Sequence, residues 1–376
     1  MQQESKLKEV AALFFKLGCI AFGGPASHIA MVEDEVVTKR KWMTQEHFLD
    51  LVGATNLIPG PNSTEIVMHC GHERAGWKGL IVAGLCFIFP AVVITSILAG
   101  LYQEYGQLPD VEPFIYGIKP AVISIIAVAA FRLGKKALKS TLLGVLGAIT
   151  LTASLLGINE ILALFGCAVL GLLLHLFSNT RKSANIFTPF FLLPFIGQVQ
   201  VGNLKIFLAF LKVGAILYGS GYVLFAFLDA ELVVKGWITR QVLIDAVAVG
   251  QFTPGPILST ATFVGWQLNG ATGALMATVG IFLPSFLLVY ALNPLIPKMR
   301  KSKAFSAFLD AANVAAVALI ISICVEMGLE ALAGWRSMVI AILSILFLLF
   351  VKRANNFFIV LGGALFGYLL TLVPFT

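Results

Sequence analysis

Two lysines and two Pro-Gly-Pro turns carry most of the chemistry available to this sequence. Lys16 and Lys212 are each the only Lys, Arg, Asp or Glu in a long apolar stretch, 10–32 and 206–228. An intramembrane cation is costly and by default a functional candidate. A long side chain snorkelling to the interface is the plain alternative, and both readings stay open here. Pro59-Gly60-Pro61 leads into Asn62, Ser63 and Thr64, and Pro254-Gly255-Pro256 leads through Ile257 and Leu258 into Ser259 and Thr260. Proline is favoured at the first helical position, where its missing N–H costs nothing. Each turn is therefore expected to open a helix, although a simple kink would also use such residues. A helix N-terminus carries about half a positive charge, and its free N–H groups suit an anion. The runs Phe22-Gly23-Gly24-Pro25 and Tyr218-Gly219-Ser220-Gly221 follow the two lysines and permit unwinding or close backbone approach.

Together these residues would surround a small oxyanion with donors and compensating charge. The expected substrate-binding set is Lys16, Gly23, Gly24, Gly60, Asn62, Ser63, Thr64, Lys212, Gly219, Ser220, Gly255, Ser259 and Thr260. Glu65, in the first turn of its helix, either complements the helix dipole or handles a proton or substrate. Lys119 is a further intramembrane cation, grouped with Glu65 for coupling. Asp50 and Asp245 are expected to be structural. Cysteines 19, 70, 86, 167 and 324 have no CxxC or Cys/His spacing, so neither disulfides nor a metal site is expected. No nucleophile–base pair and no nucleotide-binding motif is visible, so an enzyme is not expected.

The elements holding these residues follow from composition. Of 376 residues, 59% are apolar and 12% charged, against about 25% charged in soluble domains. Mean hydropathy is +0.93. This is an all-α polytopic membrane protein, which excludes a soluble enzyme, a nucleic-acid binder, a fibrous chain and a disulfide scaffold. No secretory leader is expected. A hydrocarbon core of about 30 Å needs about 20 apolar residues per helix, and ten stretches qualify as full spans, 10–32 and 206–228 among them. The stretches 45–71 and 240–266 are each split by a Pro-Gly-Pro into arms too short to cross singly.

The halves repeat. Lys16, Gly18 and Gly23 recur 196 residues later as Lys212, Gly214 and Gly219; Glu35 recurs as Glu231. At an offset of 195, Trp42, Thr44, Asp50 and Pro59-Gly60-Pro61 recur as Trp237, Thr239, Asp245 and Pro254-Gly255-Pro256; at 194, Pro90 recurs as Pro284. The loop 132–139 is basic and its mirror near 328–335 is not; 103–112 is acidic and its mirror 297–303 is basic. Cationic loops stay cytoplasmic, so the halves are inverted, as in many secondary transporters. The expected plan is two inverted-topology repeats, each of about five transmembrane helices plus a Pro-Gly-Pro re-entrant hairpin, with both termini outside. The expected boundaries are 1–185, a linker 186–203, and 204–376.

The ordered motifs FGGPASHIA, VEDEVVTKRKW, NLIPGPNSTE and AGLCFIFPA, then LDAELVVKGWIT, AVGQFTPGPILSTATFVG and GIFLPSF, resemble the two domains of the chromate transporter family in its long-chain form. The resemblance covers about 10–134 and 206–328. Family members often carry Arg where this chain has Lys16, which keeps the charge and loses the planar fork. The resemblance implies secondary export of chromate across the cytoplasmic membrane, giving resistance, with sulfate as a structural mimic. A sulfate or related oxyanion importer on the same fold is the alternative. Outward movement is favoured, since a charge crossing 100 mV is worth about 2.3 kcal/mol and a dianion therefore gains about 4.6 kcal/mol. The expected partners are a small inorganic oxyanion, membrane lipid and, as an option, a second copy in a homodimer. Neither nucleic acid nor a cofactor is expected.

Overall fold

The computed structural model describes residues 2–106, 108, 111–178, 202–218, 221–292, 302–351 and 355–372. Among them the chain forms fourteen α-helices and no strand. The first seven are α1 (Gln2–Ile20), α2 (Pro25–Glu33), α3 (Gln45–Thr55), α4 (Asn62–Tyr105), α5 (Glu112–Ala137), α6 (Thr141–Leu155) and α7 (Glu160–Ser178). The second seven repeat them as α8 (Asn203–Ile216), α9 (Val223–Leu228), α10 (Arg240–Phe252), α11 (Thr260–Leu292), α12 (Lys303–Ala331), α13 (Trp335–Phe350) and α14 (Asn356–Thr371). Both α2 and α9 run on into a π-helical turn, Asp34–Lys39 and Asp229–Val233. Five of these helices are long and apolar enough to cross a membrane, α4, α5, α7, α11 and α12, with shorter apolar α6, α13 and α14 beside them.

The stretches 10–32 and 206–228 are not single spans. α1 stops at Ile20 and α2 starts at Pro25 with Gly24 as its cap. Lys16 Nζ then lies 3.5 Å from Glu35, and Glu9 accepts from Trp42 Nε1 at 3.2 Å. In a straight helix, residues 16 and 35 would stand about 28 Å apart at 1.5 Å per residue. The chain therefore turns back, and α1 lies antiparallel to α2 and its π turn. In the second repeat the Lys212–Glu231 pair at 2.7 Å reports the same reversal. The cause is local: Gly23 takes φ +109° and Pro25 opens a new helix.

The segment around Pro59-Gly60-Pro61 also doubles back. Asn62 Nδ2 donates to Asn56 Oδ1 at 2.7 Å beside the turn, and His47 reaches Glu73 at 3.3 Å at the open end. α4 then reverses once more at Ala75–Gly76, where both residues leave helical geometry. Gly71 and Gly79 consequently meet so closely that a Cβ on either would strike the other's carbonyl. Asn269–Gly270 and the Gly265–Gly273 contact repeat the arrangement in α11. Each repeat thus contributes two hairpins, followed by the second arm of its kinked helix and three further helices.

The contacts also fix sides. Glu9 holds Arg74 at 2.7 Å and Arg40 at 3.4 Å, so α1 begins on the face where α4 reverses. Lys139 at the end of α5 pairs with Asp310 near the start of α12 on that same face. The reversal of α11 lies at the far end, where Trp266 Nε1 donates to Gln103 at 3.0 Å and Asn269 to Asn203 at 2.7 Å. The two repeats are therefore inverted. Lys39, Arg40, Lys41, Arg74, Lys78, Arg132, Lys135 and Lys136 share the face of the N-terminus, which the positive-inside rule makes cytoplasmic.

The expectation of both termini outside is corrected. α14 ends beside Pro113 and Gly117 at the outer end of α5, whereas α1 begins on the inner face. The expectation counts 10–32 as a crossing; folded back as a hairpin, it leaves the N-terminus on the same face as Arg40 and Arg74. Residues 179–201, which hold most of the expected linker 186–203, lie outside the described residues. In a cysteine-free background, Ser5→Cys should label only from the cytoplasmic side and Leu372→Cys only from outside. Labelling of both from one side would refute this topology.

Candidate functional site

Four turns meet in the middle of the bundle. The Gly60 N–H donates to the carbonyl of Leu217 at 2.7 Å, and the Gly255 N–H donates to the carbonyl of Ala21 at 2.8 Å. Ala21 and Leu217 are equivalent residues, so each Pro-Gly-Pro tip is tied to the unwound end of the opposite repeat's first helix. Gly24 lies against the Tyr222 hydroxyl, and Gly221 against Ile257. Gly60 and Gly255 take φ +141° and +89°, a region costly for a residue with Cβ. A Cβ at Gly60 would meet Glu65 and Ser285; at Gly255 it would meet Ala91 at 2.9 Å. Ala91 and Ser285 are themselves equivalent.

The two tips differ in what they offer an anion. In the first, Asn62 and Ser63 open α4, so no preceding helical carbonyl takes their N–H groups. Thr64 and Glu65 N–H groups return to the Pro61 carbonyl at 2.8 and 3.0 Å. Ser63 is buried, and the buried Thr64 hydroxyl has no partner. In the second tip a 3-10 turn, Ile257–Ser259, precedes the helix. There Thr260 Oγ1 donates to the Ile257 carbonyl at 2.8 Å, and Ser259 Oγ stands 3.5 Å from Thr253 Oγ1. The second tip has already spent its hydroxyls.

Lys16 and Lys212 do not stand alone. Glu35 gathers Lys16, Lys39 and Arg40, and Glu231 gathers Lys212 and Lys235. These carboxylates marked the repeat in the sequence, and their ion pairing was missed. The available signal was the equal spacing of nineteen residues between Lys16 and Glu35 and between Lys212 and Glu231. Glu65 is fully buried, and neither carboxylate oxygen has a hydrogen-bond partner. Lys119 lies 3.5 Å from buried Asp245, which also accepts from Tyr102 Oη at 2.6 Å. Gly219 and Ser220 fall outside the described residues. No group of three or more His, Cys, Asp or Glu among the described residues could hold a metal ion.

A profile of the chromate transporter family matches residues 8–172 and 204–368. The chain belongs to the chromate transporter family. Its two matches coincide with the two sets of seven helices, and the protein is a multi-pass membrane protein of a transporter family. It is similar to a probable chromate transport protein of Synechococcus elongatus, 29% identical over 352 residues, covering 90% of this chain and 89% of that one. A chromate transport protein of Cupriavidus metallidurans is 27% identical over 374 residues, covering 96% and 92%. Another from Pseudomonas aeruginosa is 29% identical over 329 residues, covering 83% and 79%. No solved structure matches the chain.

The crossed glycines should be sensitive to a single methyl group. Gly157 has φ +84° and open space around its Cβ position. Gly157→Ala should cost about 1–3 kcal/mol from backbone strain alone. Gly255→Ala adds the clash with Ala91 and should lower Tm further and slow transport. Equal Tm losses for the two variants would show that the tip contact is slack.

Proposed function

We propose that this chain is a secondary transporter that exports chromate across the cytoplasmic membrane and so confers chromate resistance. The observation that carries the reading is the first Pro-Gly-Pro tip, where the N–H groups opening α4 and the unpartnered Thr64 hydroxyl lie among turns contributed by both repeats. A tetrahedral dianion presents acceptors on every side, and charge-assisted bonds from backbone N–H groups are strong ones. The outward direction is the downhill one for a dianion in a cell with a negative interior.

Ser63, Thr64 and Asn62 supply donors in this reading, and Gly60, Gly255, Gly23 and Gly24 supply the turns that let backbone approach. Lys212 and Lys16 supply charge. Two lysines surround Glu231, so that cluster keeps a net positive charge with Lys212 near the end of α8. Ser259 and Thr260 join the site only if their own bonds to Thr253 and Ile257 give way. Glu65, buried with no partner for either carboxylate oxygen, and Lys119, paired with buried Asp245, are assigned to coupling. The alternative, a sulfate importer, is not favoured: the named relatives are chromate transport proteins, and import of a dianion opposes the membrane potential.

Flux of labelled chromate and sulfate in proteoliposomes, at both polarities of the potential, is the test. Chromate should leave the cytoplasmic side faster than sulfate, and faster when that side is negative. Inward sulfate flux with negligible chromate flux would overturn the reading. Thr64→Val and Lys212→Gln should each weaken chromate binding by roughly tenfold, the cost of one hydrogen bond to a charged group. Unchanged affinity in both correctly folded variants would remove them from the site.

A further inference from the structure

A cavity of about 470 Å³ runs along the Pro-Gly-Pro hairpin of the first repeat, between the end of α3, the end of α5 and the first half of α12. Lys136, Lys139 and Asp310 line its inner mouth, and Asn313 and Asn56 line its depth. Asn56 is exposed and accepts from Asn62, the residue that opens α4. The cavity therefore runs from the basic cytoplasmic face to Asn56, which holds Asn62 beside the first Pro-Gly-Pro tip. Inverted symmetry requires an equivalent region between α10, α12 and α5, reaching the second tip from outside.

That equivalent region is shut. Lys119 replaces Asn313 at the corresponding position, and it reaches Asp245 of α10 at 3.5 Å. Tyr102 of α4 closes on the same carboxylate at 2.6 Å. Gln251 replaces Asn56; it is buried and accepts from Asn356 at 2.7 Å. Phe252 stacks on Phe357 with centroids 4.6 Å apart. At the mouth, Glu330 replaces Lys136. The cavity-lining Val317 is half-buried, whereas its counterpart Ile123 is 5% exposed.

We propose that the cavity is the entry vestibule for the oxyanion, and that Lys119, Asp245 and Tyr102 form the lock of a matching exit vestibule. The structure is then the inward-open state. The lock spans the repeats, because Lys119 and Tyr102 belong to the first and Asp245 to the second. A basic mouth gathers anions from the cytoplasm and an acidic one repels them once released. This extends the proposed export reading with a path and a gate.

The test uses thiol accessibility in the full-length, cysteine-free protein with a charged thiol reagent, and needs no substrate. Val317→Cys should react from the cytoplasmic side and Ile123→Cys should be protected. Adding Asp245→Asn should expose Ile123→Cys to the outside, with labelling at least about tenfold faster, because a charge-assisted bond and an ion pair are lost together. Tyr102→Phe removes only one hydroxyl and should give a smaller rise in the same direction, which covers the case in which Asp245→Asn fails to fold. Ready labelling of Ile123→Cys without either change would overturn the lock. So would continued protection in folded Tyr102→Phe and Asp245→Asn proteins. Failure of chromate flux alongside the expected labelling would sink the substrate reading and leave the gate standing.

Discussion

Irregular backbone at membrane depth survives only if its N–H and C=O groups find partners inside the protein. This chain breaks its helices at four places in the bundle centre, and two reciprocal hydrogen bonds show how it meets that demand. Gly60 is satisfied by Leu217 and Gly255 by Ala21, so each repeat satisfies backbone left open by the other. Close packing follows from the same need. Gly18 presses on the Phe87 carbonyl and Gly214 on that of Ile281, equivalent contacts that seat α1 on α4 and α8 on α11. A side chain larger than hydrogen at either place would move the first helix, and with it the carbonyl that the opposite tip uses.

The duplication and the inversion were legible in the sequence, because unusual residues recur there at nearly constant offset and mirror loops differ in basic charge. The number of crossings was not. An apolar run of 23 residues looks the same whether it spans straight or folds back, and hydropathy contains no term for contacts between its two ends. Only partners could reveal the reversal: Glu9 with Trp42, and Lys16 with Glu35. The same blindness hid the compensation of both lysines. Each looked like a lone charge because its carboxylate lies nineteen residues away, beyond the run that defined the span.

Candidate site residues were legible to the extent that chemistry follows from residue type and local position. Hydroxyls after a helix-opening proline announce donors, and the first tip keeps Thr64 available. The second tip has a hydroxyl at the place matching Thr64, Ser259, and another at Thr260, and turns them toward Thr253 and Ile257. That difference depends on a single 3-10 turn, which residue identity did not announce. Asp245 gave no signal beyond its match to Asp50, yet one is buried and the other exposed.

The two repeats differ most at polar positions. Two identical inverted repeats would present the same surface to both sides. Here the backbone plan is kept while polar positions diverge: Glu65 against Thr260, Asn313 against Lys119, Lys136 against Glu330, Asn56 against Gln251. Every one of these lies at a hairpin tip or along the route to one, whereas the equivalent packing positions, Gly18 and Gly214 or Gly71 and Gly265, are unchanged. The shared glycines make two interchangeable frameworks. The divergent polar residues leave a cavity with Lys136 and Lys139 at one repeat and the Lys119–Asp245–Tyr102 contacts at the equivalent place in the other.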